Sequence, residues 1–436
     1  MTYWLECMTC GTRYSADEIR YECEQLRGDS HQPCKGLLDV RQDLDELGSH
    51  LSPRLFESRV GAWHGADASG VWRYRELVLP VPEHEIITRP EGNTPLYHSE
   101  RLMEWTGVRD LQIKHEGENP TGSFKDRGMT VGVTQARHLG CTAVACASTG
   151  NTSASLAAYG ALAGMKVWVF VPEGKIALGK LAQAVAYGAG TLQVRGDFDA
   201  AMNLVRQVCD LSGIYLLNSV NPFRIEGQKT IIFEMLQQRD WQPPDWIVLP
   251  AGNLGNTSAF GKALEELRSL GFINKVPRLA CIQADGANPF YLSFITDFRQ
   301  RHRIVANTVA TAIRIGNPVS YERAIRALKW THGIVAQVSD QQILDAKSQV
   351  DAAGIGCEPA SASAIAGVRA LVSGGVIQKD DSVVAVLTGH LLKDPEVTLA
   401  YHLGQLEGIK SDGSGRPIVV DADLAAVQRV LQGGEA

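Results

Sequence analysis

The sequence predicts an α/β protein whose parallel sheets are covered by helices on both faces, with a small cysteine-containing subdomain at the N-terminus. Three observations lead to this fold class. Short apolar runs alternate with longer helix-like runs from about residue 110 onward, as strands and helices do in parallel sheets. Hydrophobic residues make up 44% of the 436 residues and charged residues 21%, which suits a large buried core. Residues 1–50 differ from the rest, because they are polar, charged and rich in cysteine and glycine.

The predicted elements follow this appendage in a regular order. A proline-rich connector spans about 77–95. Strands are expected at 111–114, 143–147, 166–171, 191–194, 245–250, 278–284 and 382–387. Helices are expected at 129–139, 152–163, 178–188, 197–211, 256–270 and 341–353.

Charge and cysteine content exclude several classes of function. The net charge is −6, and no long basic run is present, which argues against a nucleic-acid partner or an anionic membrane partner. No stretch is long and apolar enough to span a bilayer, and the first residues lack the regions of a signal peptide. Nine cysteines, an odd number, are most simply reduced thiols. We therefore expect a cytoplasmic protein.

Three polar loops follow predicted strands and converge on one site. In open parallel sheets, ligands bind at the carboxyl ends of strands, near helix N-termini. The loops at 148–152, 251–256 and 388–390 all occupy that position. Their agreement predicts a single binding site at the strand ends.

Lys125 is the most informative residue of this site. It follows a loop rich in proline and glycine and stands at the start of a helix-like run. A lysine held there, away from bulk water, has a lowered pKa. The neutral amine can then form a Schiff base with an aldehyde, which is how pyridoxal phosphate is anchored.

The segment 115–128 carries a resemblance to a known family. Its centre reads Ser123, Phe124, Lys125, Asp126 and Arg127. It resembles the lysine motif of the tryptophan-synthase-β-like group of pyridoxal-phosphate enzymes (fold type II), and within that group the threonine synthase family. The resemblance covers roughly residues 85–400, where several separated motifs agree in order.

This resemblance implies two doubly wound, mostly parallel sheets with the cofactor, pyridoxal 5'-phosphate, between them. The expected division is an N-terminal appendage at 1–84, a larger cofactor-binding domain at 85–142 and 219–436, and a smaller α/β domain at 143–218. A homodimer is the expected assembly.

The loop after the strand at 245–250 contains two glycines and opens a helix. Glycines let backbone N–H groups turn toward a phosphate, and the helix end adds positive potential. Alone, such a loop fits a tight strand-to-helix turn equally well. By resemblance, it binds the cofactor phosphate, and Phe124 and Lys125 contact the cofactor. The phosphate-binding residues are then Gly252, Asn253, Leu254, Gly255 and Asn256.

The other two loops supply amide and hydroxyl groups. By resemblance, Asn151 donates a hydrogen bond to the cofactor phenolate oxygen, while Ser148, Thr149 and Thr152 hold the substrate carboxylate. An N-cap role for Asn151 or Ser148 is the alternative. Thr388 is expected to face the pyridine nitrogen, where a neutral hydroxyl would favour elimination and replacement over transamination. A threonine that only satisfies backbone groups is the alternative there.

A second anion site would distinguish the threonine synthase family, whose substrate O-phospho-L-homoserine carries its own phosphate. Arg224 can bind phosphate bidentately. By resemblance, Asn218, Ser219 and Arg224 are the ligands of that phosphate. A surface arginine in a salt bridge is the alternative. Three further charged residues are candidates for the surroundings of the site, although helix solvation or a helix-dipole interaction explains them equally well: Lys175, Lys180 and Glu358.

The appendage contains a candidate zinc site. Cys7 and Cys10 form a Cys-x-x-Cys pair, and His31 and Cys34 repeat that spacing, as in a zinc ribbon. The second pair departs from Cys-x-x-Cys, so free thiols in a small subdomain are the alternative. No catalytic metal is expected.

The resemblance thus implies an enzyme of threonine biosynthesis, a lyase that converts O-phospho-L-homoserine and water to L-threonine and phosphate. A threonine or serine dehydratase or an ammonia-lyase of the same fold would need no second phosphate pocket. A non-catalytic homologue that binds pyridoxal phosphate is the third reading, against which Lys125, Asn151 and Thr388 argue.

Overall fold

Two mostly parallel sheets flanked by helices form the body of the protein. The computed structural model describes residues 3–27, 32–174, 178–196 and 198–433. Its strands are β1 (Tyr3–Cys7), β2 (Arg13–Ser15), β3 (Leu26–Arg27), β4 (Gln32–Pro33), β5 (Leu38–Gln42), β6 (Leu96–His98), β7 (Asp110–His115), β8 (Ala143–Ala147), β9 (Lys166–Pro172), β10 (Gly190–Val194), β11 (Tyr215–Leu216), β12 (Trp246–Pro250), β13 (Arg278–Ala284), β14 (Ile334–Val338) and β15 (Ser382–Leu387).

The helices alternate with these strands over most of the chain. They are α1 (Leu44–Gly48), α2 (Pro53–Glu57), α3 (Arg75–Val78), α4 (Glu100–Thr106), α5 (Lys125–His138), α6 (Asn151–Leu162), α7 (Leu178–Ala186), α8 (Phe198–Ser212), α9 (Phe223–Gln228), α10 (Thr230–Gln238), α11 (Gly255–Ser269), α12 (Pro289–Phe294), α13 (Tyr321–Trp330), α14 (Asp340–Ala352), α15 (Pro359–Ser373), α16 (Pro395–Leu403) and α17 (Leu424–Leu431). No helix in the described ranges combines the length and apolarity that crossing a bilayer requires.

The larger sheet has six strands in the order β14-β13-β12-β15-β7-β6. All neighbouring strands are parallel except β6 and β7. Successive residues of a strand point to opposite faces, and both faces are apolar here. On β12, Ile247 and Leu249 pack with α11 residues such as Phe260, while Trp246 and Val248 pack in a cluster with α15. Helices on both sides therefore bury this sheet.

The smaller sheet has four parallel strands in the order β10-β9-β8-β11. Helix α6 packs on β8 and β9, with Leu156 and Tyr159 buried against Val144 and Val169. The two parallel-rich sheets confirm the predicted fold class. All strands of the smaller sheet lie within 143–218, and the division into domains at those boundaries stays a prediction.

The N-terminal region forms a separate antiparallel sheet in the order β2-β1-β5, with a small hairpin of β3 and β4. Leu5, Leu38 and Val40 of this sheet belong to the same apolar core as α10 and α11. The predicted connector begins later than expected, because Leu77 and Val78 are buried at the end of α3. The N-terminal sheet and helix α3 are thus packed against the body of the protein.

Candidate functional site

Lys125 is the first residue of α5, at the end of a loop that is tied to the strand beside it. The Phe124 N–H donates to the Thr388 carbonyl at 3.0 Å, and the His390 N–H donates to the Gly122 carbonyl at 2.9 Å. The loop is also closed on itself, because the buried Asp126 carboxylate accepts from the Thr121 N–H at 2.7 Å. These bonds fix Lys125 next to the carboxyl end of β15.

The amine of Lys125 is removed from bulk water. Its Nζ lies 4.0 Å from the centre of the Phe124 ring, and the residue as a whole is half-buried. Desolvation lowers the pKa of Lys125 to about 7; the positive charge of Arg224 adds to this, and Glu358 opposes it. A large fraction of this amine is therefore neutral near pH 7, as a nucleophile for an aldehyde requires.

Thr388 is held at the end of β15 by Ser361, a residue to which the sequence assigned no role. The Ser361 hydroxyl accepts from the backbone N–H groups of Thr388 and Gly389, both at 2.9 Å. Its own hydrogen is then available for Thr388 Oγ1, at 3.0 Å. The Thr388 hydroxyl keeps its hydrogen for another acceptor, which fits a neutral ring nitrogen. The segment 356–363 resembles the corresponding segment of the family, but that resemblance does not reveal the hydrogen bonds of Ser361 to Thr388 and Gly389.

Asn151 and Glu358 meet between the two sheets. Asn151 Nδ2 donates to Glu358 Oε2 at 3.1 Å. Burial raises the pKa of Glu358, against the effects of the Asn151 hydrogen bond and of the positive charge on Lys393. A Cβ on Gly389 would lie 2.4 Å from Glu358 Cδ, so only glycine admits the carboxyl there. Glu358, an uncertain neighbour in the sequence, therefore lies in the site.

The hydroxyl loop 148–152 lies at the start of α6. The N-cap is Gly150, and no side chain caps the helix, so the N-cap alternative for Asn151 and Ser148 is wrong. Ser148 Oγ accepts from the Gly150 N–H at 3.3 Å. The side chains of Ser148, Thr149 and Thr152 are half-buried at the helix start, a setting that suits binding of a carboxylate. That role stays a prediction.

The loop between β12 and α11 has the character of a phosphate cradle. Among the described residues, no acceptor exists for the backbone N–H groups at 252–256. Leu254 has a φ of 64°, a left-handed conformation that is costly for leucine and turns the loop sharply. A Cβ on Gly252 would lie 3.0 Å from Ile313 Cα, so the backbone runs close beneath that residue. The buried Asn256 amide oxygen also has no partner in the described structure. Unused donors at a helix N-terminus fit a phosphate.

Arg224, at the start of α9, provides the second positive group. It is 2% exposed, and among the described residues it pairs with no carboxylate. Its Nε has no hydrogen-bond partner. Burial lowers the pKa of Arg224 to about 10, and Cys146 opposes this shift. Arg127, equally buried, is by contrast paired with Glu116 at 2.7 Å. A buried guanidinium without a counter-ion is a ready site for an anion.

The predicted neighbours of Arg224 differ in their surroundings. The Asn218 amide accepts from the Ala147 N–H at 2.9 Å and donates to the Ala147 carbonyl at 3.0 Å, so it mainly fixes the end of β8. Ser219 is half-buried. Their roles as phosphate ligands stay predictions. Lys175 lies outside the described residues, as does the side chain of Lys180.

Lys393 was not predicted as a site residue, yet it connects the segment after β15 to helix α7 near the site. Its Nζ donates to the side-chain oxygen of Gln183 in α7. Burial lowers the pKa of Lys393, while the negative charges of Asp126 and Glu358 oppose the shift. It stands in the segment 387–395, whose resemblance to the family was the signal available in the sequence.

Comparison with known proteins gives a consistent result. The family described as pyridoxal-phosphate dependent enzyme matches residues 87–389. A threonine synthase of Methanocaldococcus jannaschii is 44% identical over 98% of both chains. A threonine synthase of Methanosarcina acetivorans is 46% identical over 99% of both chains. The crystal structure of Escherichia coli threonine synthase superposes with a TM-score of 0.66 over 99% of both chains, and at 19% identity this likeness concerns the fold alone.

Proposed function

Since this chain belongs to the pyridoxal-phosphate-dependent enzymes and, among them, to the threonine synthases, we propose that it converts O-phospho-L-homoserine and water to L-threonine and phosphate. The residues of the site fit both phosphates that this reaction requires. The N–H groups at 252–256 suit the cofactor phosphate, and Arg224 suits the phosphate of the substrate.

The cofactor, when bound, supplies an electrophilic aldehyde and an electron sink for carbanions. Lys125 offers the amine that holds the aldehyde. Because its pKa is lowered to about 7, the same amine can accept and return protons at the substrate Cα and Cβ near neutral pH. Thr388, positioned by Ser361, would offer a neutral hydroxyl to the ring nitrogen of the bound cofactor. Arg224 holds the phosphate before and during its departure from Cγ.

One observation carries the choice of substrate: Arg224 is buried close enough to Lys125 to lower its pKa, and no carboxylate neutralises it within the described structure. A dehydratase acting on serine or threonine has no second anion to place there. Retaining an unpaired buried charge costs several kcal/mol, which a substrate phosphate would offset.

The test compares two arginine variants. Phosphate release from O-phospho-L-homoserine is measured together with threonine formation, and 2-oxobutyrate formation is measured with threonine as substrate. We expect Arg224→Gln to lower kcat/KM for phosphohomoserine by about 100-fold or more, the loss of a charge-assisted bidentate contact. Arg109, which is exposed and paired with Asp380, serves as the control, and Arg109→Gln should change nothing.

Two results would overturn the proposal. One is threonine formed without an equal amount of phosphate. The other is oxobutyrate produced from threonine at a rate that Arg224→Gln leaves unchanged, which would indicate a dehydratase.

A homodimeric, cytoplasmic enzyme stays a prediction of the sequence and its family resemblance. The molar mass of the cofactor-loaded enzyme in solution tests the first part. Fractionation of cells that produce the protein tests the second.

A further inference from the structure

Four cysteines of the N-terminal region converge, although they are far apart in the sequence. The sulfur atoms of Cys7, Cys10, Cys23 and Cys34 all lie within 4.8 Å of one another. We propose that these four thiolates bind one structural zinc ion. This set contains Cys23 where the expected set had His31, which lies outside the described residues.

The distances between the sulfurs fit a tetrahedral metal site. Cys7 Sγ and Cys34 Sγ are 3.8 Å apart, and Cys10 Sγ and Cys23 Sγ are 3.5 Å apart. Four sulfurs around zinc at about 2.3 Å are separated from one another by about 3.8 Å. A disulfide would need about 2.05 Å instead. The spacing thus suits a shared cation better than two covalent bonds.

The backbone builds two similar corners that present these sulfurs. After Cys10, Gly11 has a φ of 74°, and after Cys34, Lys35 has a φ of 52°. Both are left-handed conformations, which turn the chain sharply behind the second cysteine of each corner. The Gly11 N–H donates to the Cys7 carbonyl at 2.8 Å, and the Lys35 N–H donates to the Cys23 carbonyl at 2.8 Å. The first corner belongs to the turn from β1 to β2, and the second closes around the β3–β4 hairpin.

Hydrogen-bonding groups surround two of the sulfurs. The Tyr14 hydroxyl accepts from the backbone N–H groups of Glu24 and Gln25, both at 3.2 Å. Its hydrogen is therefore free to point at Cys23 Sγ, at 3.1 Å. The Thr9 N–H donates to Cys7 Sγ at 3.4 Å. Donors to ligand sulfurs are the usual second layer of a metal site.

The site is buried on the side of Cys7 and Cys23 and reaches the surface at Cys10, which is exposed. Cys7 and Cys23 are at most 2% exposed, and Cys34 is half-buried. A Cβ on Gly36 would lie 2.6 Å from Cys7 Sγ, so this glycine lets the second corner approach the first. Four protein ligands leave no open coordination position, which is the pattern of structural rather than catalytic zinc. Tetrahedral sites with four thiolate ligands favour zinc or iron. If the purified enzyme shows no absorbance from iron, the ion in this site is zinc.

The ion would fix a region that has little core of its own. The sheet of β1, β2 and β5 has short strands, and its hairpin β3–β4 has two residues in each strand. Zinc would cross-link the turn between β1 and β2 to the segments on either side of the β3–β4 hairpin, which precedes β5. Small domains of this kind commonly depend on a metal for stability.

The experiment measures metal in the full-length, cofactor-loaded enzyme. We expect about one zinc per chain by elemental analysis, and cobalt substitution should give the visible bands of a tetrahedral thiolate site. Cys23→Ser should lose the zinc, whereas Cys141→Ser, which alters a half-buried cysteine outside the cluster, should retain it. His31→Ala should also retain it, because the histidine is not needed in a four-cysteine site.

A milder variant keeps the test decisive if Cys23→Ser fails to fold. Tyr14→Phe removes only the hydroxyl, and we expect zinc affinity, measured by competition with a chelator, to fall about 10-fold. Metal-free enzyme with no cobalt spectrum would overturn the proposal. So would iron in place of zinc, or zinc that is lost with His31→Ala and retained with Cys23→Ser.

Discussion

Lys125 and Arg224 place two cationic side chains close to each other, and the proposed reaction would require this site to accept two phosphates. In the protein alone this proximity is unfavourable: desolvation lowers the pKa of Lys125, and the positive charge of Arg224 lowers it further. The electrostatic repulsion between the two side chains serves the chemistry of Lys125. The nearby guanidinium helps to keep the Lys125 amine neutral, and the amine must be neutral to attack an aldehyde.

The first prediction concerns the pH at which Lys125 reacts. Pyridoxal lacks the phosphate and its charge, so its reaction with the cofactor-free enzyme reports the amine itself. The neutral fraction of an amine rises with pH, so labelling of Lys125 should rise through about pH 7 and level off above it. An ordinary lysine would rise near pH 10.4. Labelling is measured by mass spectrometry after borohydride reduction.

Arg224→Met serves as the matched variant for this measurement. It removes a positive charge, and the midpoint for Lys125 should therefore move to higher pH. A midpoint near pH 10 in the wild-type enzyme would contradict the environment described for Lys125.

Glycines set how closely α5 and α9 approach, and this approach brings Arg224 to the lysine. A Cβ on Gly227 would lie 1.7 Å from the Arg127 carbonyl oxygen, and one on Gly128 would lie 2.9 Å from the Arg224 carbonyl oxygen. The contact is backbone against backbone at Gly227, so no side-chain movement can relieve it. Residues of both helices are buried along this contact.

The second prediction follows from this contact. Gly227→Ala should force α9 away from α5, at a cost of roughly 3 kcal/mol in the free energy of unfolding. It should also weaken phosphohomoserine turnover, because Arg224 moves with α9. Urea denaturation measures the first effect and steady-state kinetics the second. Gly415→Ala is the control, since nothing lies within 4 Å of its added Cβ. Equal stability of the two variants would show that the helices can separate freely.

The sequence predicted many of the long elements well because their apolar patterns are strong, but it gave no range for the helices α13 (Tyr321–Trp330) and α15 (Pro359–Ser373). Strands at 143–147, 278–284 and 382–387 match β8, β13 and β15, and the remaining predicted elements differ from the observed ones mainly at their ends. The helix expected at 129–139 begins four residues earlier, at Lys125. Its first turn contains the charged residues Asp126 and Arg127, which are buried because Asp126 accepts a hydrogen bond and Arg127 forms an ion pair, and no local sequence pattern reveals these partners. Short strands such as β6 and β11 are too brief for a periodic signal.

Site residues that belong to a local sequence motif could be predicted. Site residues that act through a contact with a distant segment could not. Lys125 and Thr388 follow from local sequence. Ser361 acts through two backbone N–H groups that reach it from another segment. Cys23 has no partner at Cys-x-x-Cys spacing, so only the folded chain shows that it completes the cysteine cluster.

The N-terminal region is joined to the body by buried charges as well as by apolar packing. Asp39 of β5 is 2% exposed and lies 2.8 Å from Arg326 and 3.4 Å from Lys262. Lys262 in turn pairs with Glu226 of α9, the helix that begins with Phe223 and Arg224. A chain of ion pairs therefore runs from the N-terminal sheet to the helix of the anion site.

The third prediction tests this connection. Burial alone would raise the pKa of Asp39, but the positive charges of Lys262, Arg326 and Arg41 outweigh it and hold the pKa well below its usual range. The unfolded chain therefore binds the proton more tightly than the folded one. The stability that Asp39 provides is present above the unfolded pKa of about 3.9 and decreases as the pH falls below that value.

Asp39→Asn should consequently lower the free energy of unfolding at pH 7 by about 3–5 kcal/mol, because it leaves buried cations without their carboxylate. The difference from wild type should shrink below about pH 4, because the stability that the wild-type carboxylate provides decreases there. Urea denaturation at pH 7 and pH 3.5 measures both effects. Asp380→Asn breaks an exposed pair with Arg109 and should change stability by about 0.5 kcal/mol or less at either pH. If Asp39→Asn were as stable as wild type at pH 7, apolar packing alone would hold the N-terminal sheet to the body.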